Sequence, residues 1–369
     1  MKNIGVITCG RSDFSIYLPL LNYLENDKRF NLFVLATGSH LEKKYGLTIN
    51  DILKHKFKNI LKVKSLVNDD SPYGISKSMA KTLKNFSDIY KDNKFDLLVA
   101  LGDRYEMFSA VSASIPFNIP IAHLHGGETT LGAIDESFRH SITSMSKLHF
   151  TSCSKHSSRV AKILDKGSRK SIFNIGSLSF HNKNLFKDLS KKDLFSVLGL
   201  KQNENYILVT IHPETVNTKV NKTLVKNTLN ALKEMPIKKV LTMPNNDTDN
   251  EVFRNSTKEL QKRNDFIIFD NLGPELYMSA IKHCKCMVGN SSSGIIESAR
   301  FSKYAVNIGA RQKGRLHNNN LINSSYDKKT ILNSVDKAIK KGNYSGADIF
   351  FKPNALDIIN KALSKELNV

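Results

Sequence analysis

The residues best suited to proton transfer lie in one stretch in the first half of the chain. Asp103 follows the apolar run Leu97–Leu101, and His125 and Glu128 follow a second apolar run. Asp135 comes shortly after, at the start of a stretch with helical character. Carboxylates and imidazoles are the usual general acids and bases of enzymes. The stretch therefore predicts a site at which protons are removed and delivered.

Most of these residues also have an ordinary structural interpretation. An aspartate after a glycine, such as Asp103, commonly caps a helix, and the helix dipole favours an acid such as Asp135 in a first turn. Glu128, in a Gly-Gly loop, has no such ready explanation. His123 and His125 are spaced as two residues on one face of a strand, but no clear carboxylate ligand accompanies them, so a metal is not expected.

A second set of residues is suited to binding phosphate and ribose. Gly289–Gly294 is a turn of small residues between an apolar run and a helical stretch, where backbone N–H groups and hydroxyls bind anions. Glu297, one turn inside that helix, could accept hydrogen bonds from two ribose hydroxyls; a plain N-cap with a surface glutamate is the alternative. A guanidinium binds phosphate in a forked geometry. Four arginines follow predicted strands and indicate a diphosphate: Arg11, Arg104, Arg311 and Arg315.

Short apolar runs must position these polar residues. Such runs, bounded by glycine, fit strands buried on both faces of a parallel sheet, which binds ligands at its carboxyl edge. Strand and helix alternate, and the pattern restarts near residue 180. An α/β fold is predicted, with two Rossmann-like domains at 1–180 and 181–369 and a cleft between them. The predicted strands are 4–8, 31–36, 97–101, 119–122, 148–152, 171–175, 206–211, 239–243, 266–269, 286–289 and 305–308, and the predicted helices are 15–24, 75–90, 223–234 and 355–367.

Composition narrows the classes of function. The chain has 369 residues and a formal net charge of +21, which invites nucleic-acid binding. Its positive residues are scattered and not interleaved with aromatic ones, so we expect no nucleic-acid partner, and part of the charge attracts an anionic substrate. No apolar stretch approaches the roughly 20 residues of a membrane span, and no signal peptide is evident, so a cytoplasmic protein without a membrane partner is expected. The four cysteines are interpreted as small buried side chains.

Eight ordered motifs, spread over nearly the whole chain, resemble the hydrolysing UDP-N-acetylglucosamine 2-epimerases of nonulosonic (sialic and legionaminic) acid biosynthesis. They are GRSD at 10–13, TGSHLEKKYG at 37–46, LGDRYE at 101–106, HLHGGETTLGAIDESFRHSIT at 123–143, HPET at 212–215, PNND at 244–247, GNSSSGIIE at 289–297 and IGARQKGR at 308–315.

The resemblance implies a glycosyltransferase-B type fold, with the sugar chemistry in the N-terminal domain, the nucleotide mainly on the C-terminal domain, and the last helix packing back on the N-terminal one. It implies a nucleotide-sugar substrate that loses its C2 proton while the nucleoside diphosphate leaves C1. Hydration of the resulting glycal gives the free 2-epimeric sugar. No metal or other cofactor is expected, and a homodimer is.

The resemblance also assigns roles to individual residues. Asp103 and Asp135 match catalytic carboxylates, His212 is expected to contact the leaving group, and His40 the substrate. Several relatives carry glutamate where this chain has His125, so either Glu128 or His125 transfers the proton. The residues expected to bind the substrate and its nucleotide are Arg11, Ser12, His40, Arg104, Asn245, Ser291, Ser292, Gly294, Glu297, Arg311 and Arg315.

Three questions stay open at the level of sequence. The fold and the phosphate-binding residues also suit a glycosyltransferase, although that class does not explain three acids in the N-terminal domain. A non-hydrolysing 2-epimerase, which returns the nucleotide sugar intact, is a closer alternative. The base (uridine or guanosine) and the C4 and C6 substituents of the sugar are not determined, and UDP-N-acetylglucosamine and UDP-N,N′-diacetylbacillosamine are both candidates.

Overall fold

A computed structural model describes residues 1–69, 71–129, 131, 134–165, 169–181, 189–214, 217–243, 250–270 and 272–369. The chain divides into two compact units. The N-terminal unit comprises Met1–Glu128, Ile134–Asn182 and Phe350–Val369, and the C-terminal unit comprises Thr129–Ala133 and Lys183–Ile349.

The N-terminal unit is built on a seven-stranded parallel sheet. Its strands are β1 (Lys2–Thr8), β2 (Phe30–Ala36), β3 (Asn59–Lys62), β4 (Leu97–Leu101), β5 (Ile121–Leu124), β6 (Leu148–Thr151) and β7 (Ile172–Asn174). Their spatial order is β3-β2-β1-β4-β5-β6-β7. The order reverses between β1 and β4, and ligands of such sheets bind outside the carboxyl ends at that point.

Helices cover both faces of this sheet. They are α1 (Arg11–Asn26), α2 (Ile49–Lys54), α3 (Pro72–Asp92), α4 (Tyr105–Ser114), α5 (Asp135–Met145) and α6 (Ser154–Ile163). Strand β4 shows the consequence: Leu97, Val99 and Leu101 pack into one hydrophobic core. Its other two residues, Leu98 and Ala100, pack into the core on the opposite face. The alternation follows from the two-residue period of a strand.

The C-terminal unit repeats this plan with a six-stranded parallel sheet of order β10-β9-β8-β11-β12-β13. It consists of α7 (Lys191–Leu198), β8 (Tyr206–Thr210), α8 (Asn221–Lys233), β9 (Lys238–Thr242), α9 (Asn250–Thr257), β10 (Phe266–Phe269), α10 (Gly273–His283), β11 (Met287–Gly289), α11 (Ser293–Ile296), β12 (Ala305–Ile308), β13 (Leu321–Ser324) and α12 (Lys328–Lys341). This strand order is that of the Rossmann fold. The predicted fold class, two parallel-sheet Rossmann-like units, is confirmed.

The last helix of the chain, α13 (Ala355–Leu367), belongs to the N-terminal unit. Ile359 and Leu363 are each 1% exposed and pack in the same core as residues of α1. Arg29 adds hydrogen bonds from its guanidinium to Ser364 Oγ (2.9 Å) and Asn360 Oδ1 (2.7 Å). The core of this unit is therefore completed by the final residues of the chain.

Several details differ from the sequence-based predictions. The edge strands β3 and β13 were not predicted, because most of their residues are only half-buried and form no long apolar run. Strand β5 begins at Ile121 rather than at residue 119, after Pro120. Cys284 and Cys286 are both buried, as predicted, but they lie in different hydrophobic cores rather than on one face. In the described part of the chain, no helix is both long enough and apolar enough to span a bilayer.

Candidate active site

Asp103 lies where the chain leaves the carboxyl end of β4. Gly102 (φ 73°) makes the turn. The N-cap of α4 is Arg104, whose backbone is extended and whose side chain makes no capping bond. Asp103 instead forms an ion pair with the guanidinium of Arg139 on α5, whose side chain is only 4% exposed. The alternative interpretation of Asp103 as a helix cap is therefore wrong.

The second carboxylate predicted to be catalytic, Asp135, lies on the same helix as Arg139. Asp135 is the first residue of α5, and Arg139 lies four positions on, so both side chains project from one side of the helix. Burial raises the pKa of Asp135, and the positive charge of Arg104 acts in the opposite direction. Asp103 is thus paired with a residue one turn after Asp135 on α5.

Arg104 is a cation surrounded by carboxylates. Its guanidinium contacts Glu106 at 3.2 and 3.3 Å, and the fully buried Glu106 raises the pKa of Arg104 further. Asp13, at the start of α1, is also buried and accepts the backbone N–H of Cys9 at 3.0 Å. Burial raises the pKa of Asp13, against the effect of Arg104. Arg104 is thus paired within the protein, while 40% of its side chain remains exposed to a ligand.

The loop after β5 carries a histidine in an unusual environment. His125 has a left-handed backbone (φ 62°), which costs energy for any residue with a side chain. Its Nδ1 lies 2.8 Å from Glu128 Oε1, while its buried Nε2 has no hydrogen-bond partner. Glu128 Oε1 also accepts a hydrogen bond from Ser152 Oγ at 2.7 Å. Backbone strain and an unpartnered polar atom are typical of functional residues.

Close packing explains the two glycines of this loop. A Cβ at Gly127 (φ 77°) would lie 2.5 Å from the carbonyl oxygen of His156 on α6. A Cβ at Gly126 would lie 3.0 Å from Nδ1 of His123. Arg159, also on α6, donates to the carbonyl of Gly127 at 2.8 Å. Helix α6 therefore holds the loop that presents His125.

Two other histidines, the predicted substrate contact His40 and the strand residue His123, form hydrogen bonds within the protein. His40 is fully buried between Thr8 Oγ1 (2.9 Å) and Thr48 Oγ1 (2.8 Å), and burial lowers its pKa to about 4. His123 contacts Thr143 Oγ1 and the carbonyl of Gly102, and burial lowers its pKa to about 3. A direct substrate contact by His40 is therefore not supported. Strand β5 ends before His125, so His123 and His125 do not form the same-face pair expected from their spacing.

Arg11 and Ser12 open α1, after the N-cap residue Gly10. Both are exposed, although the Ser12 hydroxyl donates a 3.3 Å hydrogen bond to Asp13. They lie at the carboxyl end of β1, beside the point where the strand order reverses. This position is compatible with the predicted contact to a phosphate.

In the C-terminal unit, one buried asparagine joins the loops after β8 and β11. Asn290 accepts the backbone N–H of His212 through Oδ1 (2.7 Å) and donates to the His212 carbonyl through Nδ2 (2.9 Å). Gly289 (φ 136°) allows this close approach, since a Cβ there would lie 1.9 Å from the carbonyl of Thr210. His212 is thereby held at the carboxyl edge of the sheet.

The turn after β11 differs from the predicted anion site. Helix α11 has only four residues, too few for a substantial macrodipole. The N–H groups of Gly294 and Ile295 donate to the carbonyls of Ser291 and Ser292 at 3.1 and 2.9 Å, so these two are not free for an anion. The hydroxyls of Ser291 and Ser292 remain candidate donors.

Glu297 follows the last residue of α11 rather than lying one turn inside the helix. Burial raises the pKa of the Glu297 carboxyl to about 7, while a hydrogen bond from Ser293 and the charge of Arg315 act in the opposite direction. Arg311 donates to the carbonyl of Pro213, which ties the loop after β12 to the loop after β8. The charge of Arg315, in turn, acts on Glu297, the residue predicted to bind the ribose.

Asn245 lies outside the residues that the structure describes. Several residues that position the site were missed by sequence reasoning. They are Glu106, Arg139, Ser152, His156, Arg159 and Asn290. Four of them bond to partners 24 to 78 residues away. Glu106 and His156 bond to Arg104 and Ser152, two and four residues away, but neither spacing by itself indicates a site. Among the described residues, no group of His, Cys, Asp and Glu side chains is arranged to hold a metal ion.

Comparisons with known proteins agree with this architecture. A solved structure of UDP-GlcNAc 2-epimerase from Neisseria meningitidis, bound to UDP-GlcNAc, superposes with a TM-score of 0.81 at 16% identity and covers 99% of this chain and 100% of that one. At that identity the similarity establishes the fold alone, two Rossmann-like units.

The family is established by sequence. The family model for UDP-N-acetylglucosamine 2-epimerase matches residues 22–364, and the chain belongs to that family. GDP/UDP-N,N′-diacetylbacillosamine 2-epimerase (hydrolyzing) of Campylobacter jejuni is 39% identical over 348 residues, covering 92% of this chain and 87% of the relative. Polysialic acid biosynthesis protein P7 of Escherichia coli is 34% identical over 363 residues, covering 96% and 92%.

The buried histidines predict how stability depends on pH. His149 on β6 is 1% exposed and lies opposite His123, and burial lowers its pKa to about 4. Since the unfolded chain binds this proton near pH 6.5 and the folded protein does not, stability is complete above about pH 6.5 and falls as the pH drops toward 4. We expect His149 alone to contribute about 3 kcal/mol to that fall.

Urea unfolding at several pH values measures this contribution. The His149→Gln variant should show a shallower loss of unfolding free energy between pH 6.5 and 4 than the unmodified protein. His317→Gln is the matched control, because His317 is exposed and its environment changes little on unfolding. Equal pH slopes for His149→Gln and the unmodified protein would contradict the assignment.

Proposed function

We propose that this protein is a hydrolysing 2-epimerase of a nucleotide-activated N-acetylhexosamine. The substrate is UDP-N-acetylglucosamine or UDP-N,N′-diacetylbacillosamine, and the products are the nucleoside diphosphate and the free 2-epimeric sugar. Family membership and the activity named for the C. jejuni relative support the proposal. The name of the E. coli relative supports a role in making sialic-type acids.

The observation that carries the proposal is the ion pair of Asp103 with Arg139, which lies one turn after Asp135 on α5. A hydrogen on C2 of a sugar is a very weak acid, so a positioned base must remove it as the diphosphate leaves C1. Asp103 does not cap α4, so helix capping does not account for an aspartate at this position. The same edge of the sheet carries His125 and Glu128 as a second set of groups for proton transfer.

The proposed reaction has two stages. In the first, the C2 proton passes to a base and the C1–O bond breaks, which leaves a 1,2-glycal and the nucleoside diphosphate. In the second, water adds its oxygen to C1, and a proton is delivered to C2 from the opposite face. One water is consumed for each substrate. Inversion at C2 requires proton-transfer groups on both faces of the ring, and the two sets around Asp103 and His125 can supply them.

The C-terminal unit is proposed to bind the nucleotide. Glu297 would accept hydrogen bonds from the ribose hydroxyls, and the hydroxyls of Ser291 and Ser292 would donate to the diphosphate. His212, held by Asn290, would contact the leaving oxygen. A departing diphosphate is stabilised most by groups that are already in position, which these backbone-anchored loops provide.

Product analysis tests the function. The protein is incubated in heavy water with UDP-N-acetylglucosamine, UDP-N,N′-diacetylbacillosamine and their GDP counterparts, without any acceptor. We expect free nucleoside diphosphate and one equivalent of 2-epimeric sugar with deuterium at C2, both observed by NMR. An intact epimerised nucleotide sugar would indicate a non-hydrolysing enzyme instead. Turnover only after an acceptor is added would indicate a glycosyltransferase.

We further propose that the protein acts in the cytoplasm as a homodimer. The support is the motif-level resemblance to an enzyme family in which such dimers are common. A molar mass equal to one chain in light scattering, at the concentration used for activity, would contradict the dimer.

Asp103→Asn is expected to abolish turnover. The amide can neither accept a proton from C2 nor deliver one to it, although its oxygen can still accept a hydrogen bond from Arg139. Loss of a general base typically costs about 10²- to 10⁴-fold in rate. The release of UDP measures the effect, and circular dichroism checks the fold. Asp88→Asn, on the exposed side of α3, is the control. Near-normal rates in Asp103→Asn would remove Asp103 from the mechanism.

Glu297→Ala is expected to weaken UDP binding about 10- to 100-fold, the usual cost of a lost hydrogen bond to a charged group. Because the pKa of Glu297 is about 7 and only its ionised form accepts both hydroxyls, the affinity of the unmodified protein should fall as the pH drops below 7. Calorimetry with UDP at pH 6 and 8 measures both effects. The exposed Glu275→Ala variant is the control, and unchanged affinity in Glu297→Ala would refute the ribose contact.

A further inference from the structure

A chain of hydrogen bonds runs from α6 to the unpartnered nitrogen of His125. His156 Nδ1 lies 2.9 Å from Ser152 Oγ, Ser152 Oγ lies 2.7 Å from Glu128 Oε1, and Glu128 Oε1 lies 2.8 Å from His125 Nδ1. Ser152 is 1% exposed and His156 is 4% exposed. None of the roles proposed above uses either residue.

The direction of each hydrogen bond follows from the donors available. A carboxylate only accepts, so Glu128 receives one proton from the Ser152 hydroxyl and one from His125 Nδ1. The Ser152 hydroxyl has a single proton, which is committed to Glu128. Ser152 must therefore accept from His156, which carries its proton on Nδ1. Burial lowers the pKa of His156 to about 4, so this ring is neutral.

The same reasoning determines the state of His125. A proton on Nε2 would be a buried donor without an acceptor, which costs free energy. The favoured form therefore has its proton on Nδ1, facing Glu128, and a lone pair on Nε2. An imidazole oriented by a carboxylate and presenting a free lone pair is arranged as a general base.

We propose that Ser152 and His156 are positioning residues, which hold Glu128 and thereby keep His125 in the tautomer whose Nε2 accepts a proton. Arg159, one turn after His156 on α6, donates to the carbonyl of Gly127 and so holds the loop at 125–128 as well. The kinetic consequence rests on the proposed function, whereas the tautomer of His125 does not.

Nitrogen NMR tests the tautomer directly. In protein labelled with ¹⁵N-histidine, two-bond ¹H–¹⁵N correlations distinguish Nδ1–H from Nε2–H rings, and loss of a signal in His125→Gln assigns His125. We expect the Nδ1–H form in the unmodified protein and a shift toward a mixture in Ser152→Ala and His156→Leu. His156→Asn should restore the Nδ1–H form, because an asparagine amide can donate to Ser152 from nearly the same position.

Kinetics test the role in the reaction. In Ser152→Ala and His156→Leu we expect kcat to fall about 10-fold or more, part of the usual contribution of a general base, with KM nearly unchanged.

Ser157→Ala is the matched control, since Ser157 is on the same helix but bonds to Thr151 and not to Glu128. The proposal is overturned if His125 is an Nε2–H ring in the unmodified protein, or if both variants keep its tautomer and the kcat of the unmodified protein. If the unmodified protein releases no nucleoside diphosphate, the proposed function fails, while the NMR experiment still decides the hydrogen-bond chain.

Discussion

The ion pair between Asp103 and Arg139 is the interaction on which the N-terminal site depends. The Arg139 side chain is almost fully buried, and a buried charge without a partner destabilises a fold by several kcal/mol. Asp103 supplies that partner, which fixes the start of α5 against the loop after β4. Asp135 lies one turn before Arg139 on the same helix. The helix that carries Asp135 is therefore held to the loop after β4 by this charge pair.

Much of the fold could be predicted from the sequence, because the strands of a parallel sheet covered on both faces are short apolar runs. Strands β4, β10 and β12 and helix α13 have the predicted bounds, since their apolar runs are bounded by glycine, proline or polar residues. The edge strand β3 was missed because it is half-exposed and lies in a lysine-rich stretch. An edge strand buries less surface, so its sequence carries less of the signal that identifies strands.

Part of the site could also be predicted from the sequence, for a different physical reason. Carboxyl ends of parallel strands meet at one edge, so the positions of Asp103 and His125 followed from strand order. The directions of the side chains did not follow from strand order. The ring of His40, for example, points into the protein and contacts the hydroxyls of two threonines. The partners that set direction, such as Arg139 and Ser152, lie 36 and 24 residues from the groups they hold. Rules that relate residues by their spacing on a helix or strand cover only a few positions, so they do not identify these partners.

The N-terminal unit is closed by α13, which follows the C-terminal unit in the chain and buries Ile359 and Leu363 in the N-terminal core. On the ribosome, domains usually fold in the order in which they emerge. Here the first unit to emerge lacks α13 and remains incomplete while the whole second unit is synthesised. During translation the apolar surface that α13 covers is without its partner until α13 itself has been synthesised.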